Sequence, residues 1–214
     1  MPRKYELKRR AERQAETRRR IVDAAIELHQ TVGMMGTTMT AVAKLAGVSR
    51  LTVYRHFPDD VSLFIACTGT YDQRNPPPDL SGLMAIDDPL RRLEIALTGM
   101  YGYFSDHEQI IASGANALPN KPALGVALAP VFEAQRRLGE LLATGWGVES
   151  GPGTLLAGAI GHAIAFPTWL ALRNVQGLTN NQAVTLMVGM VVAARDAERA
   201  SKPVRIARKS RSSA

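Results

Sequence analysis

A chain of 214 residues with 46% hydrophobic residues can bury a sizeable core, and its single cysteine, Cys67, excludes an intramolecular disulfide. The formal charge of +7 is unevenly placed: residues 1–20 hold nine Lys/Arg against three Glu, residues 201–214 hold five Lys/Arg and no acid, and the body between is mildly acidic. Basic ends on such a body fit nucleic acid, and the strongly charged first twenty residues, which have no apolar core, lead to the expectation of no secretory leader.

Residues 1–16 have no apolar stripe but are rich in helix formers, with Glu6–Arg10 at i,i+4 spacing. They read as a basic flexible arm that orders on DNA. From Thr17 to about Val32, Ile21, Ala25, Leu28 and Val32 share one helical face, and Gly33 stops the helix. Thr38 then caps a short helix in which Val42 and Leu45 recur at helical spacing and Ala43 and Ala46 allow a close neighbour. Gly47 ends it and Ser49 caps a second short helix. Helix, Gly-containing turn, helix is the organisation of a DNA-reading helix-turn-helix.

In the second helix Val53 and Phe57 share one face, which must be buried. Leu51 and Arg55 point the other way, with Thr52 and Tyr54 on the flanks. A guanidinium bonds guanine O6 and N7 bidentately, and Leu51 or Thr52 can touch a thymine methyl. Tyr54 and His56 suit phosphate oxygens. The plainer alternative is a surface helix carrying one Arg.

The Ala46-Gly47-Val48-Ser49 run followed by Tyr54-Arg55-His56-Phe57 resembles the DNA-binding domain of the TetR family of bacterial transcriptional regulators. The resemblance covers roughly residues 17–70; beyond it the chain is similar only in length and helical character. It implies a homodimer on a palindromic operator of double-stranded DNA, with a C-terminal pocket for a small-molecule effector. The expected DNA-facing set is Thr38, Thr40, Arg50, Leu51, Thr52, Tyr54, Arg55 and His56. One departure stands out: where the family usually places a Lys at the start of the next helix, this chain has Asp60.

Pro58 ends the second reading helix, and a linking helix from Asp59 to about Gln73 carries Val61, Phe64, Ile65 and Thr68 on its inner stripe. Pro76-Pro77-Pro78 breaks any helix after it. The expected organisation is therefore an arm over 1–16, a helix-turn-helix domain over 17–73, a helical ligand-binding and dimerisation domain over 74–200, and a basic disordered tail over 201–214. Five further helices are expected. They cover Pro89 to Phe104 behind Asp88, Ser105 to Leu118, 122–144 disturbed by Pro130, 153–175 kinked at Pro167, and Thr179 to about Arg199 behind a Thr179/Gln182 capping box. The fold class is all-α with about nine helices.

In the last helix Val184, Met187, Val188, Met190, Val191 and Val192 wrap much of the circumference, and Ala157, Gly158, Gly161 and Ala165 in the helix before permit close approach. An ordinary core would show the same residues; the resemblance makes these two helices the homodimer face. Met100, Tyr101, Phe104, Ile111, Phe166 and Trp169, beside many Gly and Ala, are the candidate effector-binding residues, although such a stripe also makes plain core. His107 and His162 are either polar anchors or satisfied structural groups.

Catalysis finds no motif: there is no Cys/His cluster, His-Glu-x-x-His, phosphate-binding Gly loop or Gly-x-Ser-x-Gly. No cofactor or metal is expected. Residues 150–172 carry no charge, but Pro152, Pro167, His162 and small apolar residues argue against a membrane span, so a cytoplasmic protein is expected. Two functions fit: a ligand-responsive DNA-binding regulator, most simply a repressor, or an architectural DNA-binding protein whose large domain only dimerises.

Overall fold

The structure is a computed structural model, and it describes residues 2–201, with side chains from Tyr5 onward. The expected tail over 201–214 lies, from residue 202 on, outside the described residues. Among the described residues there are eleven α-helices, two short 3-10 turns and no strand. They are α1 (Pro2–Thr31), α2 (Gly33–Gly36), α3 (Met39–Ala46), α4 (Arg50–His56), α5 (Asp60–Arg74), α6 (Pro89–Asp106), α7 (Glu108–Ala117), α8 (Pro122–Leu142), α9 (Leu155–Ala163), α10 (Phe166–Asn174) and α11 (Asn180–Ser201).

The two helices beyond the expected nine have local causes. Gly33 takes φ +80 and starts the one-turn α2, where the sequence suggested a loop. The expected kinked helix over 153–175 is instead two helices at 63°. Ala165 is extended, and Pro167 sits in the first turn of α10, where its missing N–H leaves no intrahelical bond unmade. Pro130 has the opposite outcome: α8 runs through it unbroken. Pro130 and Val126, whose carbonyl loses its partner, are both exposed, so water can take the vacant acceptor.

A correction falls on the N-terminal segment. Residues 2–16 do not form a separate arm; they are the first half of α1. Good helix formers and the Lys8–Glu12 and Glu16–Arg19 pairs extend a helix already nucleated by the packed residues after Thr17.

The chain divides into two compact units, Met1–Pro78 with Tyr103–Ala134 and Asp79–Gly102 with Gln135–Ala214. In the first, Ile21, Ala25, Val42, Val53, Phe57 and Cys67 belong to one buried cluster. A second cluster joins Phe64 to Ala117, Leu124 and Ala127. Burial pushes the Cys67 thiol up to about 12, so it packs as an uncharged small apolar group. Phe64 lies on the inner stripe of α5 as expected, but its buried companions are Leu63 and Cys67, while Val61 and Thr68 are half-buried and Ile65 is exposed. Two clusters lie against α5, one on each side of that stripe, which shifts the buried face.

In the second unit Leu93, Leu97, Leu142, Leu156, Ile160 and Val191 are fully or almost fully buried. A polar thread ties its helices: the Tyr101 hydroxyl donates to the Ala163 carbonyl at 2.7 Å, the Trp169 indole donates to Asn180 Oδ1 at 3.0 Å, and Asn180 Nδ2 donates to the Tyr101 carbonyl at 3.2 Å. The Thr179/Gln182 capping box forms as expected, with Gln182 N on Thr179 Oγ1 at 3.2 Å and Thr179 N on Gln182 Oε1 at 2.9 Å. No single described helix is long and apolar enough to cross a membrane; α9 and α10 reach that composition only as a bent pair.

Candidate nucleic-acid interface

The reading element is built from three local devices. The Thr38 side chain accepts from Ala41 N at 3.1 Å and starts α3. Gly47 takes φ 64 and ψ 39, and Val48 N reaches back to the Ala43 carbonyl at 3.0 Å, closing a Schellman-type end. Ser49 Oγ accepts from Thr52 N at 3.1 Å and starts α4. The turn between the helices is Gly47-Val48-Ser49, and each residue in it has a fixed task.

The buried face of α4 is Val53 with Phe57 just past its end, both at 0% exposure. Leu51 stands 79% exposed on the opposite face, with Arg50, Tyr54 and Arg55 also in solvent. Thr40 is exposed at the start of α3. Two members of the expected set carry structural duties as well: Thr38 is the α3 cap, and half-buried Thr52 shares a 2.9 Å hydrogen bond with Ser49 Oγ. Arg50 Nη2 donates to the Tyr54 hydroxyl at 3.1 Å and its guanidinium lies 5.3 Å from that ring centroid. The pair therefore presents a charge and a phenol in one fixed array. Arg55 makes no hydrogen bond or ion pair among the described residues and extends from the middle of the exposed face. Partial burial lowers the His56 pKa, helped by the charges of Arg55 and Arg18. Leu45 is 45% exposed and does not join Val42 on the buried side. α3 packs on α1 through Val42, Ala43 and Ala46, where small residues let the helices close up.

Two arginines counted in the sequence only toward the charge of residues 1–20 position this element. Arg20 Nη2 donates to the carbonyls of Ala46 at 2.8 Å and Gly47 at 3.4 Å. Arg18 Nη1 donates to the His56 carbonyl at 3.2 Å, with its guanidinium 4.2 Å from the Phe57 ring centroid. Each places a cation at the C-terminal end of one reading helix, where orphan carbonyls and the helix dipole favour it. Their place at the start of the amphipathic helix, three and one residues before Ile21, is the only sequence signal of this role.

Asp60 is the first residue of α5, but the cap is Asp59, whose carboxylate accepts from Ser62 N at 2.7 Å. Those hydrogen bonds from Ser62 lower the Asp59 pKa.

Residues 21–67 match the family described as bacterial regulatory proteins of the tetR family. The HTH-type transcriptional regulator AcrR of Shigella flexneri is 43% identical over 49 residues, which is 23% of each chain, so the match spans about a quarter of that relative's length. This likeness covers the N-terminal segment that holds α3 and α4. The fold itself recurs in solved structures over most of the chain. NalD of Pseudomonas aeruginosa, a secondary repressor of the MexAB-OprM multidrug efflux pump, superposes with a TM-score of 0.59 at 22% identity, covering 86% of this chain and 97% of NalD. A TetR-like transcriptional regulator from Rhodococcus sp. RHA1 superposes with a TM-score of 0.55 at 22% identity, covering 87% and 97%.

The six expected effector-binding residues fall in both compact units of the chain. Met100, Tyr101, Phe166 and Trp169 lie in the second, Phe104 and Ile111 in the first. Tyr101, Phe166 and Trp169 are buried, with the Phe166 and Trp169 rings 5.5 Å apart. Met100, Phe104 and Ile111 are half-buried. Both histidines have hydrogen-bond partners: His107 Nδ1 shares 2.9 Å with the Tyr71 hydroxyl, and His162 Nδ1 shares 3.1 Å with Thr168 Oγ1.

Proposed function

We propose that this protein is a dimeric repressor that binds a palindromic operator and is released by a small, largely apolar effector. The observation that carries it is α4: buried Val53 and Phe57 behind it, and Leu51, Tyr54 and an unengaged Arg55 in front, sized for a major groove of about 12 Å. A dimer supplies the second copy that a palindrome requires. On the solvent side of α11, Leu186, Gly189, Met190 and Ala193 recur at helical spacing, and on α9 the exposed Leu155, Gly158 and Gly161 leave open space beside the backbone. An apolar, small-residue face of this kind supports a helix-pair interface with a symmetry mate.

Release of DNA needs a coupling element. α7 belongs to the same compact unit as the reading helices, and Ser113 Oγ accepts from Met34 N at 2.8 Å. A shift of α7 therefore acts on α2 through Met34, four residues ahead of the Thr38 cap. An effector moves this equilibrium only by its difference in affinity for the two states. The repressor and efflux-regulator roles of NalD support this reading by analogy of fold.

The second reading, an architectural DNA-binding protein, is favoured by one observation: the polar atoms of Tyr101 and Trp169 are satisfied inside the protein, as in an ordinary core. Selection of bound duplexes from random DNA, followed by anisotropy titration, tests the proposal. A palindromic consensus, and release of that duplex by hits from a thermal-shift screen of apolar small molecules, are the expected results. Sequence-indifferent binding that no such hit reverses would establish the architectural reading instead.

A further inference from the structure

Among the described residues, nothing packs over the first half of α1. Residues 5–16 are exposed throughout, whereas Ile21, Val22 and Ala25 of the same helix are buried. The order of contacts along α1 gives its direction. Just past its C-terminal end, Met34 bonds Ser113 of α7. Its middle packs in the reading-domain core. Arg20 and Arg18 then touch the turn before α4 and the end of α4. The residues before Arg18 continue past the reading helix, on the side away from α7. From Arg18 to Tyr5 this is about 20 Å of helix.

The charges on this segment are not equivalent. Lys8 pairs with Glu12 at 4.0 Å, and Arg19 pairs with Glu16. Arg9, Arg10 and Arg13 have no carboxylate partner among the described residues; the Arg9 guanidinium lies 5.7 Å from the Tyr5 ring centroid. Arg9 and Arg13 are four residues apart, and Arg20 is seven further on, so the three share one stripe of the helix. Arg20 anchors that stripe on the turn between the reading helices, and Arg9 and Arg13 continue it outward.

We infer that the N-terminal half of α1 is a second, sequence-independent DNA contact, in which Arg9, Arg10 and Arg13 lie against phosphates of the duplex flanking the site read by α4. The inference rests on the DNA-binding reading of α4 and adds to it a partner surface outside the groove. Its occupant is double-stranded DNA because the surface is a row of unpaired guanidinium groups continuous with the reading element, and the neighbouring duplex is a dense row of phosphates. The reach of about 20 Å corresponds to roughly six base pairs at 3.4 Å per step.

The test uses the full chain, the variant Arg9→Gln/Arg10→Gln/Arg13→Gln and the charge-retaining variant with Lys at the same three positions. Gln is a helix former close to Arg in propensity and these side chains are outside the core, so circular dichroism should show unchanged helix content. Anisotropy titrations use random-sequence duplexes over a salt series, and operator duplexes with flanks lengthened by six base pairs. If each Arg neutralises one phosphate, the Gln variant's slope of log K against log salt is shallower by about 2.7 per bound arm, and its affinity loss between 50 and 200 mM salt is about forty-fold smaller. The Lys variant keeps the wild-type slope. Wild-type affinity rises with the longer flanks and the Gln variant's does not, while its preference for operator over random sequence is retained. An unchanged slope on random duplex, or no dependence on flank length in the wild type, overturns the inference. A wild-type protein without operator preference would instead remove the reading of α4 and leave the arm to be judged by the random-duplex slope.

Discussion

Arg55 separates reading from folding more cleanly than any other residue of α4. Its side chain is exposed and makes no hydrogen bond or ion pair among the described residues, so Arg55→Ala removes no internal contact. Stability should stay within about 0.5 kcal/mol of wild type in urea titrations. On the operator the outcome differs. A bidentate Arg–guanine contact is worth about 1–3 kcal/mol of discrimination per base pair, or roughly 5- to 150-fold in affinity. A dimer presents Arg55 to both half-sites, so the loss should be about twice that free energy on a palindrome. On random duplex, where Arg55 touches at most a phosphate, affinity should fall far less and the salt slope should flatten by about 0.9 per phosphate released. Anisotropy titrations of operator and random duplex, at two salt concentrations, measure both numbers. Equal losses on the two duplexes would refute base contact and make Arg55 a backbone anchor.

Three further outcomes follow from single observations. Ser49→Ala removes the α4 cap and should cost about 0.5–2 kcal/mol by denaturant titration, with Ser49→Gly closer to wild type. Met190→Glu places a carboxylate on the exposed apolar stripe of α11, and should give a folded monomer in sedimentation with palindrome affinity lost; Val191 is buried within the protomer, so Val191→Glu should instead unfold it. Burial, with the Lys121 charge next, lowers His29 to about 4. The unfolded chain therefore takes up a proton between about pH 6.5 and 4 that the folded one refuses. His29 lets stability hold above pH 6.5 and lose roughly 3 kcal/mol as the pH falls toward 4, and His29→Leu should flatten that slope in pH-dependent melts.

The features legible in the sequence are those whose cause lies within a few residues. Thr38, Gly47 and Ser49 act through bonds to backbone groups three to five positions away, so their residue types alone place the ends of α3 and α4. Val53 and Phe57 follow from helical period. The misread positions depend on partners distant in the chain. Leu45 and Ile65 are hydrophobic and correctly spaced, yet exposed, because α1 and α8 occupy the adjoining faces instead. The Tyr101–Asn180–Trp169 thread spans 79 positions and leaves no local pattern. The grouping of Tyr103–Ala134 with the reading helices is likewise a matter of packing that no proline or charge boundary announces.

Charge shows the same division most directly. Nine basic residues in the first twenty suggest one undifferentiated DNA-seeking arm. In the folded chain Arg18 and Arg20 are held by carbonyls at the ends of the reading helices, and Arg19 and Lys8 are held by glutamates. Neutralising Arg18 or Arg20 would loosen α4 before it weakened any phosphate contact, so a charge-removal series over the whole segment would mix two effects. Arg9, Arg10 and Arg13 carry only the second. DNA affinity that depends on those three, and orientation of α4 that depends on Arg18 and Arg20, are separable because the helix continues beyond the core that formed it.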